Sequence, residues 1–282
     1  MNFKISAMPV HYLVWMLIGA AFFSVEEVYS QQQAVQLFAH RGGAHEQDEN
    51  TLQAFQNSYD QGIRGYETDV RMTKDGDLVL FHDGSLDRIT GHQGSIEEMN
   101  ASEIRKIKTK KGNPILFLDE FLEYLEDKPG VYLELEMKTS PEIYPRPVLE
   151  KYCDKLYQAA AARKPEGSTY LFTSFDKRPL RYLKATYPDA DMLFITSRPL
   201  TDEVVQETLE LGLQRVGCNI SGTSRKMVDA AHEAGLQVSL WPGHSVEDFL
   251  LGIYLGSDYL CSDVPVEVLQ FMQSKMPWVN IK

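Results

Sequence analysis

Several side chains with acid–base or metal-binding chemistry interrupt apolar runs in the first third of the chain. His40 and Arg41 end the run Leu37-Phe38-Ala39, and His82 ends Leu78-Val79-Leu80-Phe81. Glu67 and Asp69 sit two apart in Tyr66-Glu67-Thr68-Asp69-Val70. In a strand, residues i and i+2 share a face, so two carboxylates stand side by side there. Like charges that close persist only with a cation or a raised pKa. Asp75-Gly76 is a hairpin signal between two β-prone runs. A hairpin symmetric about residues 74–77 places Asp69 opposite His82 and gathers the polar groups at its open end. Each feature alone has a bland reading: an exposed strand face, a structural histidine, a turn. Their conjunction in one short stretch points to a site.

The spacing His40-Arg41-Gly42, then Glu49-Asn50-Thr51 opening a helix, then Glu67-x-Asp69-Val70, then Thr73-x-Asp75-Gly76 and Val79-x-x-His82-Asp83 resembles the glycerophosphodiester phosphodiesterase family. Further matches are the stretches LDRITGHQG, ILFLDEFLEYL, LELEMK and TSF, a strand ending in Trp241, and SDYLCSDVP. Together they cover residues 37–269.

Residues 1–30 read as a signal peptide. An apolar run over 12–23 is too short to span a bilayer comfortably, and Val28-Tyr29-Ser30 offers suitable residues before a cleavage point. Residues 31–282 then form one domain of the size usual for an α/β barrel. The chain is expected to be exported, periplasmic or secreted, with no stable membrane insertion once the leader is removed. A net charge of −12 without a basic stripe argues against nucleic acid and against long-range attraction to anionic membranes. Phosphate would have to be held by a few local cations. Cys153, Cys218 and Cys261 are too few and scattered for a disulfide framework, and the last two read as small core residues.

Strand-like and helix-like segments alternate along the rest. Asn50 or Thr51 caps a helix with Leu52, Phe55 and Tyr59 on one face. Further strands are expected over 131–137, 170–174, 192–196, 216–220, 238–241 and 259–262. Helices are expected over 118–125, 146–163, 178–186, 202–211, 224–234, 246–251 and 266–274. Residues 84–118 read as an excursion over the mouth of the fold. With residues 78–82 as the return arm of a hairpin, eight βα units remain, which predicts a (β/α)8 TIM barrel with an insertion after that hairpin. The resemblance implies the same fold, of the phospholipase-C-like phosphodiesterase type.

Active sites of such barrels lie at the C-terminal ends of the strands. His40, Arg41, Glu67, Asp69, Glu136, Lys138, Phe175 and Trp241 all fall there. In VYLELEMK, Glu134, Glu136 and Lys138 share a face, which is costly unless they are paired or bind something. Glu67, Asp69 and Glu136 offer oxygen without His or Cys, a set that favours one Ca²⁺ or Mg²⁺ over Zn²⁺. Arg41 and Lys138 suit phosphate. His40 and His82 titrate near neutrality and can act as an acid–base pair. Trp241 and Phe175 can cover the substrate's carbons. In the family resembled, positions matching His40 and His82 are catalytic, those matching Glu67, Asp69 and Glu136 bind metal, and those matching Arg41 and Lys138 contact phosphate. The implied reaction is hydrolysis of a small glycerophosphodiester to glycerol 3-phosphate and an alcohol. Two departures stand out: Asp48 where Pro is usual, and Trp241-Pro242-Gly243-His244 for Trp-Thr-Val-Asn. Glu49 matches a family glutamate near the metal, or is an acid placed for the helix dipole. The competing readings are a barrel phospholipase of the sphingomyelinase D or phosphoinositide type acting on intact lipids, and a non-catalytic exported binding protein.

Overall fold

The computed structural model describes residues 34–282. The expected signal peptide lies outside them. The chain alternates strands and helices: β1 (Gln36–Ala39), β2 (Gly65–Met72), β3 (Leu78–Leu80), β4 (Tyr132–Met137), β5 (Thr169–Ser174), β6 (Met192–Pro199), β7 (Arg215–Asn219), β8 (Gln237–Trp241) and β9 (Tyr259–Ser262). All but β3 run parallel, in the order β1-β9-β8-β7-β6-β5-β4-β2, and β1 pairs with both β9 and β2. The sheet therefore closes into the eight-stranded (β/α)8 barrel that the alternation predicts. The segment leading into β1 pairs with residues 280–282, with Val35 N–H donating to Asn280 O at 3.0 Å and Lys282 N–H to Val35 O at 2.9 Å. Among the described residues no helix is long and apolar enough to cross a membrane.

Side-chain alternation sorts the core. Phe38, Tyr132, Leu171, Leu193, Ile195 and Cys261 come from five of the eight barrel strands and pack together in its interior. The opposite strand faces, with Leu37, Tyr66, Leu133, Leu135 and Val216 among them, pack against the outer helices. Helix starts carry their own caps: Thr51 accepts from Ala54 N–H, Thr201 from Val204 N–H and Ser224 from Met227 N–H. The helix Val246–Leu255 outruns its expected end at residue 251 because Gly252 does not stop it. A Cβ there would stand 2.1 Å from Leu260 Cδ2, so glycine serves helix–strand contact, and Gly256 (φ 86°) makes the stop. All three cysteines are free and buried.

β3 is the antiparallel return arm of a hairpin with β2, but the register differs from the symmetric expectation. Val70 faces Leu80 and Met72 faces Leu78, which puts Phe81 rather than His82 across from Asp69. The turn causes the shift. Gly76 N–H donates to Thr73 O and Thr73 N–H to Asp77 O, leaving a three-residue loop with Gly76 at φ 98°. The excursion that follows builds a small core of its own from Phe81, Leu86, Ile96, Ile104, Ile115 and Phe117. Asp48, at the position where Pro is usual, anchors it by accepting from Asn113 Nδ2 at 3.0 Å.

Candidate active site

Parallel pairing places β2 and β4 so that Glu67 faces Glu134 and Asp69 faces Glu136. Four carboxylates thus point from two adjacent strands into the C-terminal half of the barrel, all buried. Like charges directly opposite one another destabilise a sheet, and two local cations offset only part of this. Lys138 Nζ donates to Glu136 Oε1 at 2.7 Å and lies 3.5 Å from Asp69 Oδ1. Arg41 Nε lies 3.3 Å from Asp69 Oδ2, and Arg41 Nη1 donates to Glu49 Oε1 at 3.2 Å.

The turn after β1 positions Arg41. Its backbone is left-handed (φ 51°), and its N–H donates to Glu67 Oε2 at 3.1 Å. Gly42 follows at φ 83°, where a Cβ would meet Ala54 Cβ at 2.8 Å. Asn50, also left-handed (φ 55°), donates from Nδ2 to Asp69 Oδ2 at 2.8 Å and accepts from Thr68 Oγ1. Holding two non-glycine residues in this region costs on the order of 1 kcal/mol each, and such strain clusters at functional sites. Thr51 is the helix cap, so Asn50 is free for Asp69. Glu49 precedes that cap and is taken up by Arg41 and Arg88 instead of the helix end.

Glu67, Asp69 and Glu136 each bring an oxygen within 4.8 Å of the others. Glu67 Oε1 and Asp69 Oδ1 are buried without a hydrogen-bond partner. Orphaned carboxylate oxygens in an all-oxygen cluster fit a hard divalent cation. Burial, with Asp69 and Glu136 adding, drives the Glu67 carboxyl well above the usual range. Burial pushes Asp69 the same way, but Lys138, Arg41 and His82 outweigh it and hold it well below. Burial, with the Glu136 charge adding, carries Glu134 to about 7 against the hydrogen bond that Tyr132 donates and the nearby Arg215.

Both histidines are oriented by carboxylates. His40 Nδ1–H donates to Asp263 Oδ1 at 2.5 Å, and its Nε2 lies 3.8 Å from Glu67 Oε2. His82 Nδ1–H donates to Asp83 Oδ1 at 2.7 Å, Asp83 takes Arg88, and Arg88 grips Glu49 with both nitrogens. Burial lowers the His82 pKa, with Lys138 and Arg41 adding to it against Asp69.

A cavity of about 460 Å³ opens over these groups. His40, Arg41, Glu67, His82, Glu136, Lys138, Phe175 and Trp241 line it, and Asp69 lies just beneath. These nine candidates therefore meet at one mouth, whereas Glu49 is held by Arg41 and Arg88 and is not among the lining residues. Phe175, 42% exposed, packs edge-on against Trp241 at 5.6 Å, and Lys138 Nζ lies 5.9 Å from its ring. Asn219, the last residue of β7, caps a turn by accepting from Ser221 N–H. Sequence reasoning missed Asp263, Asp83 and Arg88. The strand-end rule that picks out His40 and Glu67, applied to the eighth barrel strand, would have found Asp263, the residue after β9.

Residues 40–267 match the model of the glycerophosphoryl diester phosphodiesterase family. The chain belongs to that family, and by it is a phosphoric diester hydrolase. A glycerophosphodiester phosphodiesterase of Caldanaerobacter subterraneus is 26% identical over 84% of this chain and 97% of its own length. Among solved structures, one from Silicibacter pomeroyi described as a glycerophosphoryl diester phosphodiesterase superposes with a TM-score of 0.78 at 23% identity, covering 86% of this chain and 94% of that one. A phosphodiesterase of Oleispira antarctica, solved with the product sn-glycerol-3-phosphate, gives 0.77 at 24% identity, covering 85% and 97%. The family model begins at His40 and ends past Asp263, so the mouth lies wholly inside the match.

Proposed function

We propose that this protein hydrolyses glycerophosphodiesters to glycerol 3-phosphate and a free alcohol, in a cation-dependent reaction assisted by His40 and His82. The observation that carries this reading is the pair of orphaned oxygens, Glu67 Oε1 and Asp69 Oδ1, buried beside Glu136 in a cavity that both histidines line. Glu67, Asp69 and Glu136 would hold Ca²⁺ or Mg²⁺, which when bound supplies positive charge to a non-bridging phosphate oxygen. Arg41 and Lys138, now shared among Asp69, Glu49 and Glu136, bind the phosphate. With Nδ1 of each imidazole on a carboxylate, Nε2 is the atom left for substrate. One histidine takes the proton of the attacking oxygen, from water or the substrate's own 2-hydroxyl, and the other gives a proton to the leaving alcohol. Trp241 and Phe175 cover the glycerol carbons. The product found with the Oleispira antarctica enzyme supports the substrate class.

The deciding experiment is a panel of glycerophosphodiesters and intact lipids assayed with and without chelator. Glycerol 3-phosphate should appear only with Mg²⁺ or Ca²⁺ present. Undiminished turnover in excess chelator, or cleavage confined to intact lipids, overturns the reading. We further propose export of a chain beginning near Gln31, on the strength of the apolar run over 12–23 and Val28-Tyr29-Ser30. N-terminal sequencing of the exported form checks it, and full-length protein recovered from the cytosol would sink it.

A further inference from the structure

A second group of ligand atoms, of a different chemical kind, converges at the rim of the mouth. His45, His244 and Asp263 each offer a ligand atom, a ring nitrogen or a carboxylate oxygen, and these atoms lie within 4.8 Å of one another. His244 Nδ1 is hydrogen-bonded to Asp263 Oδ2, while His45 Nε2 stands 3.7 Å from the same oxygen, beyond hydrogen-bonding reach. The two imidazoles stack with centroids 5.4 Å apart and planes 19° from parallel. Three backbone ties fix the set: His45 N–H donates to Asp263 O at 3.0 Å, Asp263 N–H to Gly243 O at 2.8 Å, and His244 N–H to Asp248 Oδ2 at 2.9 Å. Asp263 is buried and both rings are exposed, so an ion reaches the three atoms directly from solvent.

We propose that His45, His244 and Asp263 form a second metal site, selective for a borderline transition ion such as Zn²⁺. Two imidazoles and one carboxylate are the donors such ions take, and three protein ligands leave a coordination position open. Mg²⁺ and Ca²⁺ prefer all-oxygen donors, so the two clusters discriminate between ion classes. The entering ion replaces the proton on His244 Nδ1, which passes to Nε2 of that ring or to solvent. Asp263 also holds His40 through its other oxygen. An ion on Oδ2 draws charge from the carboxylate and loosens that hold, so a filled rim site slows turnover. This last consequence rests on the proposed role of His40, whereas binding itself does not.

The test is Zn²⁺ titration of the Mg²⁺-saturated protein by calorimetry, with Co²⁺ absorption as the spectroscopic probe. One further ion should bind, and Co²⁺ should give visible bands. Glu67→Gln should keep both signals. His45→Ala and His244→Asn should each weaken binding at least about 10-fold and bleach the bands, a loss no smaller than that for removing a ligand's supporting group. His45→Ala should retain ordinary Mg²⁺-supported turnover while losing its sensitivity to Zn²⁺. Stoichiometry and spectrum unchanged in His45→Ala, or lost in Glu67→Gln, overturn the proposal. Zn²⁺ that binds at the rim without slowing turnover keeps the site and removes only its effect on His40.

Discussion

His40 and His82 face one cavity from unlike ground. His40 follows β1, a strand bonded on both sides within the closed barrel, and its carboxylate partner Asp263 is 2% exposed. Burial pushes Asp263 up, but His40, His244 and His45 prevail and keep it at about 2. His82 follows β3, a strand of three residues bonded to β2, and Arg71 holds its backbone by donating to His82 O at 2.8 Å. Its partner Asp83 is more exposed and is neutralised by Arg88, itself half exposed. The barrel therefore supplies one histidine with a rigid, fully charged partner. The hairpin and excursion supply the other with a partner whose charge is set by an ion-pair chain running from Asp83 through Arg88 and Glu49 to Arg41.

The carboxylate trio belongs to both arms, so removing it should erase the contrast. Glu67→Gln, Asp69→Asn or Glu136→Gln should each cost at least about 10³-fold in kcat, since charge stabilisation at the reacting group is lost. Folding should survive, because each substitution relieves carboxylates that the β2–β4 register sets against one another. Steady-state kinetics with far-UV circular dichroism checks this. A variant that keeps wild-type metal-dependent turnover would remove that carboxylate from the cation site.

His40→Ala and His82→Ala should each lose at least about 10²-fold in kcat. If the pair serves one reaction, as proposed, the double variant should fall little further than the weaker single one. A nitrophenolate leaving group needs no proton, so it should rescue only the variant that lacks the general acid. That assigns the two roles. Near-normal rates for both singles on a natural glycerophosphodiester would make the histidines structural.

The partners should then separate the arms. Asp263→Asn replaces a buried anion with an amide that no longer fixes the His40 tautomer, and kcat should fall by about 10- to 100-fold with KM little changed. Asp83→Asn should cost less than about 10-fold, because Arg88 already cancels much of that charge. Equal losses would mean that both histidines are tuned alike, and the contrast between barrel and excursion would fail.

The same contrast explains what could be read from the sequence. Residues on consecutive barrel strands were legible because strand-end position and two-residue spacing fix where His40, Glu67, Asp69 and Glu136 point. The barrel itself followed from the count of βα units. Asp263 was within reach of the strand-end rule; what that rule cannot supply is pairing between segments far apart in sequence. Asp263 lies 223 residues from the histidine it orients. The Asp83–Arg88–Glu49 chain needs the path of the excursion, whose polar stretch conceals a small core of its own. The hairpin slipped by one residue because Asp75-Gly76 announces a turn without stating its length, and Thr73 bonding to Asp77 sets it at three.

Arg88 offers the finest test of the tuned arm. Its side chain is 50% exposed, so its pairs with Asp83 and Glu49 are screened by water and salt. Surface pairs contribute about 0–1 kcal/mol, so Arg88→Gln should change kcat by at most about fivefold. The direction of the pH effect is nevertheless fixed. Without Arg88 the Asp83 carboxylate acts on His82 with its full charge and favours the imidazolium, so the His82 pKa, now lowered by burial, must rise. If His82 is the base, the acidic limb of the pH–rate profile moves to higher pH. If it is the acid, the alkaline limb moves to higher pH. Either limb moves upward, and which one moves agrees with the nitrophenolate result. Added salt should narrow the gap between wild type and variant, since it weakens the Arg88–Asp83 pair in the wild type. The other limb should stay in place, because Asp263, the partner of His40, is buried and no hydrogen bond or ion pair among the described residues joins it to this chain. A downward shift, or a loss as large as that of His82→Ala, would show that Arg88 acts on the substrate directly and not through Asp83.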